Sequence, residues 1–106
     1  MSNNATAWHL SNAQNNAQVS ISRPGETGAR HVVTSIVAGF NDSAIKSYVQ
    51  ITEAGGAALV EFRFTGQIVI SGLEIVLPLG VQVGAFMPAS GAGGTVGSVL
   101  LNGYTK

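Results

Sequence analysis

The chain has 106 residues, 45% of them hydrophobic and only 9% charged, with five basic residues balanced by five acidic ones. That length allows one domain with one core, and the lack of cysteine excludes disulfides and thiolate chemistry. An average soluble domain carries roughly 25% charge, so a near-neutral chain this poor in charge is expected to hide much of its surface in an assembly.

Residues 1–18 are rich in Asn, Gln, Ala and Ser, with Trp8 and Leu10 as the only large apolar side chains. They read as a polar N-terminal arm ahead of a single domain over 19–106. Trp8 is costly to leave in water, so the arm is expected to dock it on a neighbouring molecule or on its own sheet. Val19-Ser-Ile21 alternates and stops at the turn signal Arg23-Pro24-Gly25. His31 to Phe40 reads as a long strand with Val32, Thr34, Ile36, Ala38 and Phe40 on one face. His31, Val33, Ser35, Val37 and Gly39 take the other. Asn41-Asp42-Ser43 breaks this strand, with a single helical turn expected over 42–46. Tyr48 to Thr52 alternates with Val49 and Ile51 inward, and Glu53-Ala-Gly-Gly56 closes a hairpin.

Ala58 to Phe64 has the cleanest period-2 pattern in the chain. Ala58, Val60, Phe62 and Phe64 line one face and Leu59, Glu61 and Arg63 the other. Gln67 to Ser71, Leu73 to Pro78 and Val81 to Met87 follow as short strands. After the glycine loop Ser90 to Gly94, the segment Thr95 to Lys106 reads as one long final strand. It places Val96, Leu100 and Tyr104 on one side and Val99 and Leu101 on the other. No window carries apolar residues at helical spacing for three turns. The fold expected is therefore all-β: an antiparallel β-sandwich, jelly-roll-like, of about eight strands.

Val33, Val37, Leu59, Leu100 and Tyr104 all face away from the core so assigned. A strand that is apolar on both sides needs two covers, and apolar patches with uncovered sheet edges are met by closed self-association. With Trp8 and Leu10 of the arm, these five are the candidate interface residues.

Reaction chemistry finds no footing. The two histidines, His9 and His31, and the single aspartate Asp42 sit in no nucleophile-and-base setting, and no Gly-x-Ser-x-Gly elbow occurs. Two histidines without cysteine make a poor zinc site, and the glutamates are too dispersed for paired-carboxylate work. Gly91 to Gly97 lacks the Gly-Lys-Ser/Thr of a phosphate loop, and a strand follows it where a helix is required. No catalytic residue, cofactor or metal site is assigned, and no enzyme is expected. Arg23, Arg30, Lys46, Arg63 and Lys106 are scattered, which argues against nucleic-acid binding. No apolar run approaches the ~20 residues of a membrane span, and the start lacks the basic and apolar regions of a secretory signal. A chain made in a cytoplasm, leaving it only by lysis or as cargo, is expected.

In its order of segments the chain resembles the small β-rich virion proteins of tailed bacteriophages. The likeness rests on the strand opening Arg30-His-Val-Val-Thr-Ser-Ile-Val-Ala-Gly-Phe40, the Val76-Leu-Pro78 strand end, and the Ala/Gly-rich loop leading to Gly103-Tyr-Thr105. It covers residues 30–106; these proteins too begin with a polar N-terminal segment, but residues 1–18 do not align with it. The resemblance implies a jelly-roll forming homotrimers on the particle, as a capsid cement or decoration protein whose partners are itself and the major capsid protein. The alternative is a tail, fibre or baseplate module recognising host surface glycan, for which Trp8, Tyr48 and Tyr104 are the aromatics left to stack on a sugar.

Overall fold

The computed structural model describes residues 5–106. Nine strands follow one another among these residues: β1 (Thr6–Asn15), β2 (Val19–Arg23), β3 (His31–Phe40), β4 (Lys46–Thr52), β5 (Ala58–Thr65), β6 (Gln67–Ile70), β7 (Ile75–Val76), β8 (Val83–Met87) and β9 (Val96–Thr105). The only helical element among the described residues is a 3-10 turn over Ala54–Gly56. The strands build two antiparallel sheets, β1-β9-β3-β6 with β7 added to β3, and β2-β8-β4-β5.

The winding follows from the pairs. With the two-residue β7 set aside, β1 pairs β9, β2 pairs β8, β3 pairs β6 and β4 pairs β5, as in one long folded ribbon. Rolling that ribbon up adds the pairs β3–β9 and β4–β8. This is the jelly-roll connection, so the expected all-β sandwich is the fold found. Gly66 alone carries the chain from β5 in one sheet to β6 in the other, at φ +76°. Its amide donates to the Ile45 carbonyl at 2.7 Å and its carbonyl accepts from Phe40 N at 2.8 Å.

Period-2 patterning sets what lies between the sheets. Val19, Ile36, Val49, Ile51, Leu77, Val83, Met87, Val99 and Leu101 are buried there, with Phe40 and Trp8. Each such side chain contributes about 1.5–3 kcal/mol on burial. At the outer strand β5 the inward residues Val60, Phe62 and Phe64 are only half-buried, although Phe64 stacks on Phe40 with ring centroids 6.1 Å apart.

Four expectations need correction. The supposed arm is, over Thr6–Asn15, the first strand of the sandwich, in register with β9 from Thr6↔Thr105 to Asn15↔Val96; residues 1–4 lie outside the described residues. β3 does not alternate throughout. Its register against β9 runs Val33↔Gly103 and then Ser35↔Asn102, so Thr34 is an extra, bulged residue. The bulge flips the parity, and Val33 faces the core with Ile36, Ala38 and Phe40. Residues 42–46 make a bend and turn in place of a helical one, because the Asp42 carboxylate accepts the Ala44 amide at 2.9 Å. Of the segment 73–78, only Ile75 and Val76 pair as a strand.

Candidate functional site

The seven candidate interface residues do not share one surface. Trp8 is spent entirely inside its own molecule. Its Nε1 donates to Thr105 Oγ1 at 3.0 Å, its ring meets His31 edge-on at 5.9 Å, and the Arg23 guanidinium lies 5.9 Å over its face. Gly103 supplies the seat: a Cβ there would strike the Val32 carbonyl oxygen, and the Trp8 benzene edge at 2.5 Å. His31, 1% exposed, completes the arrangement. Its Nε2 lies 2.7 Å from the Pro24 carbonyl, which can only accept, so Nε2 carries the proton. Nδ1 therefore accepts from the Thr105 hydroxyl at 2.7 Å. Trp8, Thr105, His31 and Pro24 thus form one satisfied chain of hydrogen bonds joining β1, β9, β3 and the turn after β2. Both ring nitrogens of His31 are occupied in it.

Leu10 is half-buried and packs on the core from β1, and Val33 is fully buried. Trp8, Leu10 and Val33 are therefore inward residues; the alternation of β1 and the bulge of β3 put them there. Leu59 is exposed, but on the outer face of the second sheet.

Val37, Leu100 and Tyr104 do share a face: the outer side of the β1-β9-β3-β6 sheet. One row across that face reads Ser11↔Leu100↔Val37↔Val69, and another reads Ala7↔Tyr104↔Val32↔Val76. Between them lie His9, Asn102 and Ser35, with Asn102 Nδ2 donating to Ser35 Oγ at 2.9 Å. Val69, 70% exposed, is the most open large apolar side chain of the described residues, and alternation along its short strand does not single it out. Shallow grooves of about 260 and 380 Å³ flank Val37 and Ser98 on either side.

The electrostatics of this face are its defining property. No strand of the sheet contains a Lys, Arg, Asp or Glu; all charged residues of the chain fall in the second sheet or in loops. The same holds for β1, whose outer edge has no strand partner over ten residues among the described residues. Sheet edges are ordinarily guarded by lysine, proline or short length, and β1 has none of these. The sequence carries a signal for this, in the charge-free blocks 1–22, 31–41, 64–73 and 75–105.

The opposite sheet is different. On its outer face Tyr48 and Phe86 approach at 6.5 Å between centroids, Arg63 stands 5.9 Å over the Tyr48 ring, and Glu61 joins Arg63 at 3.0 Å and Gln50 at 3.0 Å. No group of three or more His, Cys, Asp or Glu side chains suited to a metal ion occurs among the described residues.

No family model and no curated protein matches this chain. Solved structures do resemble it. A periplasmic inhibitor of g-type lysozyme from Aeromonas hydrophila, PliG, superposes with a TM-score of 0.50 at 11% identity, over 98% of this chain and 90% of that one. The CBM36-1 domain of a multidomain xylanase from the hindgut metagenome of Trinervitermes trinervoides gives 0.46 at 16% identity, over 87% and 74% of the two chains. A carbohydrate-binding module CBM36 in complex with calcium and xylotriose gives 0.44 at 19%, over 89% and 76%. At these identities the likeness is one of fold.

Proposed function

We propose that this protein is a structural virion protein: a homotrimeric jelly-roll that decorates a bacteriophage head and holds its major capsid protein in place. The observation that carries the reading is the charge-free β1-β9-β3-β6 face, with Leu100, Val37 and Val69 in one row and an unguarded ten-residue edge beside it. Such a surface gains little from water and nothing from screening salt, so it favours close packing against a flat, uncharged partner. A second copy of the chain supplies that partner. The resemblance in segment order to phage virion proteins supports the particle as the place.

The mechanism is linkage. A protein that binds the assembled shell and not its free subunits stabilises the shell by RT ln(1 + [L]/Kd) at each site. Three linked copies add avidity without requiring strong single contacts. The test is native mass by light scattering at two concentrations. A mass three times the 10.8 kDa chain, unchanged on dilution, is expected, followed by raised melting of undecorated capsids on addition of the protein. A concentration-independent monomer would remove the physical basis of the reading.

A further inference from the structure

The second sheet carries a notch that the coat reading does not use, and we propose that it is a binding site for an acidic sugar. β4 is longer than the strand beside it. Its register against β8 ends at Gln50↔Phe86, and two residues on Pro88, which has no amide proton to donate, replaces the strand. Lys46 to Val49 therefore have no ladder partner on that side, although they pair β5 on the other. The opening is a cavity of about 650 Å³ lined by Lys46, Tyr48, Arg63, Thr65, Pro88 and Ala89, together with Ser47 and Phe64. That size falls in the range of small-molecule sites.

The lining chooses the ligand. Two of the five basic residues of the chain, Lys46 and Arg63, border this one cavity, and no acidic side chain lines it. Lys46 makes no ion pair among the described residues. Glu61, outside the lining, holds Arg63 in position from the same strand and is itself tied to Gln50. The planar guanidinium keeps donors beyond those that face Glu61, and these can meet a carboxylate. Tyr48 and Pro88 provide an apolar wall for the carbon face of a pyranose ring, and Thr65 and the free edge of β4 offer hydroxyl partners. An aromatic wall, a carboxylate clamp and hydroxyl-directed polar groups together match a uronic-acid-type ring better than a bare anion or a neutral sugar.

The site lies on the sheet opposite the association face, so it stands or falls independently of the trimer. The test is calorimetric titration of the whole protein with trigalacturonic acid, with its methyl ester as the neutral control and inorganic phosphate as the simple anion. Binding of the acid about tenfold or more tighter than the ester (~1.4 kcal/mol) is expected, with amide shift changes centred on Lys46, Tyr48, Arg63 and Ala89. Arg63→Gln, at a side chain 81% exposed, should fold normally, keep the native mass, and remove that preference; Tyr48→Leu should weaken the acid and the ester alike. Equal binding of acid and ester, phosphate competing as well as the sugar acid, no binding at all, or shifts confined to the other sheet would each overturn the proposal.

Discussion

Replacing Thr105 by valine tests the hydrogen-bonded chain at the end of the sandwich. Valine keeps the branched shape of threonine and removes only the hydroxyl. In the structure that hydroxyl accepts from Trp8 Nε1 at 3.0 Å and donates to His31 Nδ1 at 2.7 Å, at a residue 5% exposed. The variant therefore leaves a donor and an acceptor buried without partners. Each such orphan costs about 1–3 kcal/mol, so a loss of about 4 kcal/mol is a central expectation for the pair. In a domain of this size 1 kcal/mol moves Tm by roughly 4–8 °C, which makes the shift about 16–32 °C. Urea unfolding at one fixed protein concentration measures it, because association would otherwise shift the midpoint by mass action. Thr105→Ser retains the oxygen and should lose about 1 kcal/mol, the worth of the missing methyl group. A Thr105→Val protein within about 0.5 kcal/mol of the parent, the spread of ordinary surface substitutions, would refute the view that this hydroxyl joins two obligate partners.

The remaining expectations concern the same end of the fold and the outer face. Trp8→Ala should cost about 3–5 kcal/mol as a core truncation, read as a fall in urea midpoint of the isolated protein and not as a selective loss of particle binding. Gly103→Ala should destabilise severely, because the new methyl meets the backbone of Val32 and the ring of Trp8 at once; poor soluble yield and a sharply lowered Tm are the readouts. Val37→Lys, on the apolar row, should leave unfolding at high dilution nearly unchanged and abolish the proposed trimer, since burying an unpaired ammonium in an interface costs several kcal/mol. A trimer that survives this change would move the contact away from the charge-free face.

Alternation makes most of the sandwich legible. Val49 and Ile51 in β4, Val60, Phe62 and Phe64 in β5, and Val99 and Leu101 in β9 all face inward as their period-2 pattern predicts. Two kinds of information escape it. The bulge at Thr34 is a property of pairing between β3 and β9, and no single-strand pattern contains it, so alternation puts Val33 on the wrong face. β1 is hidden because Asn, Gln and Ala are weak strand formers in isolation; its pairing with β9 across the whole chain supplies what local propensity does not. The candidate surface is half visible. Val37, Leu100 and Tyr104 can be found by parity, whereas Val69 and the row that joins them require the strand order.

The pairing of β1 with β9 also governs how the molecule comes into being. Trp8 and Thr105 are 97 positions apart, so β1 has no sheet partner until β9 has been made. Until then β1 is an unpaired, uncharged ribbon, and the seat at Gly103 does not exist. Loop closure over nearly the full chain places this protein among slow-folding, non-local topologies. In a crowded cell, the same ribbon from one nascent copy can find the β9 of another before its own, and the link Asn16-Ala17-Gln18 is a short tether between β1 and β2. Strand exchange between copies is thus the reaction that competes with closure of the sandwich within one chain.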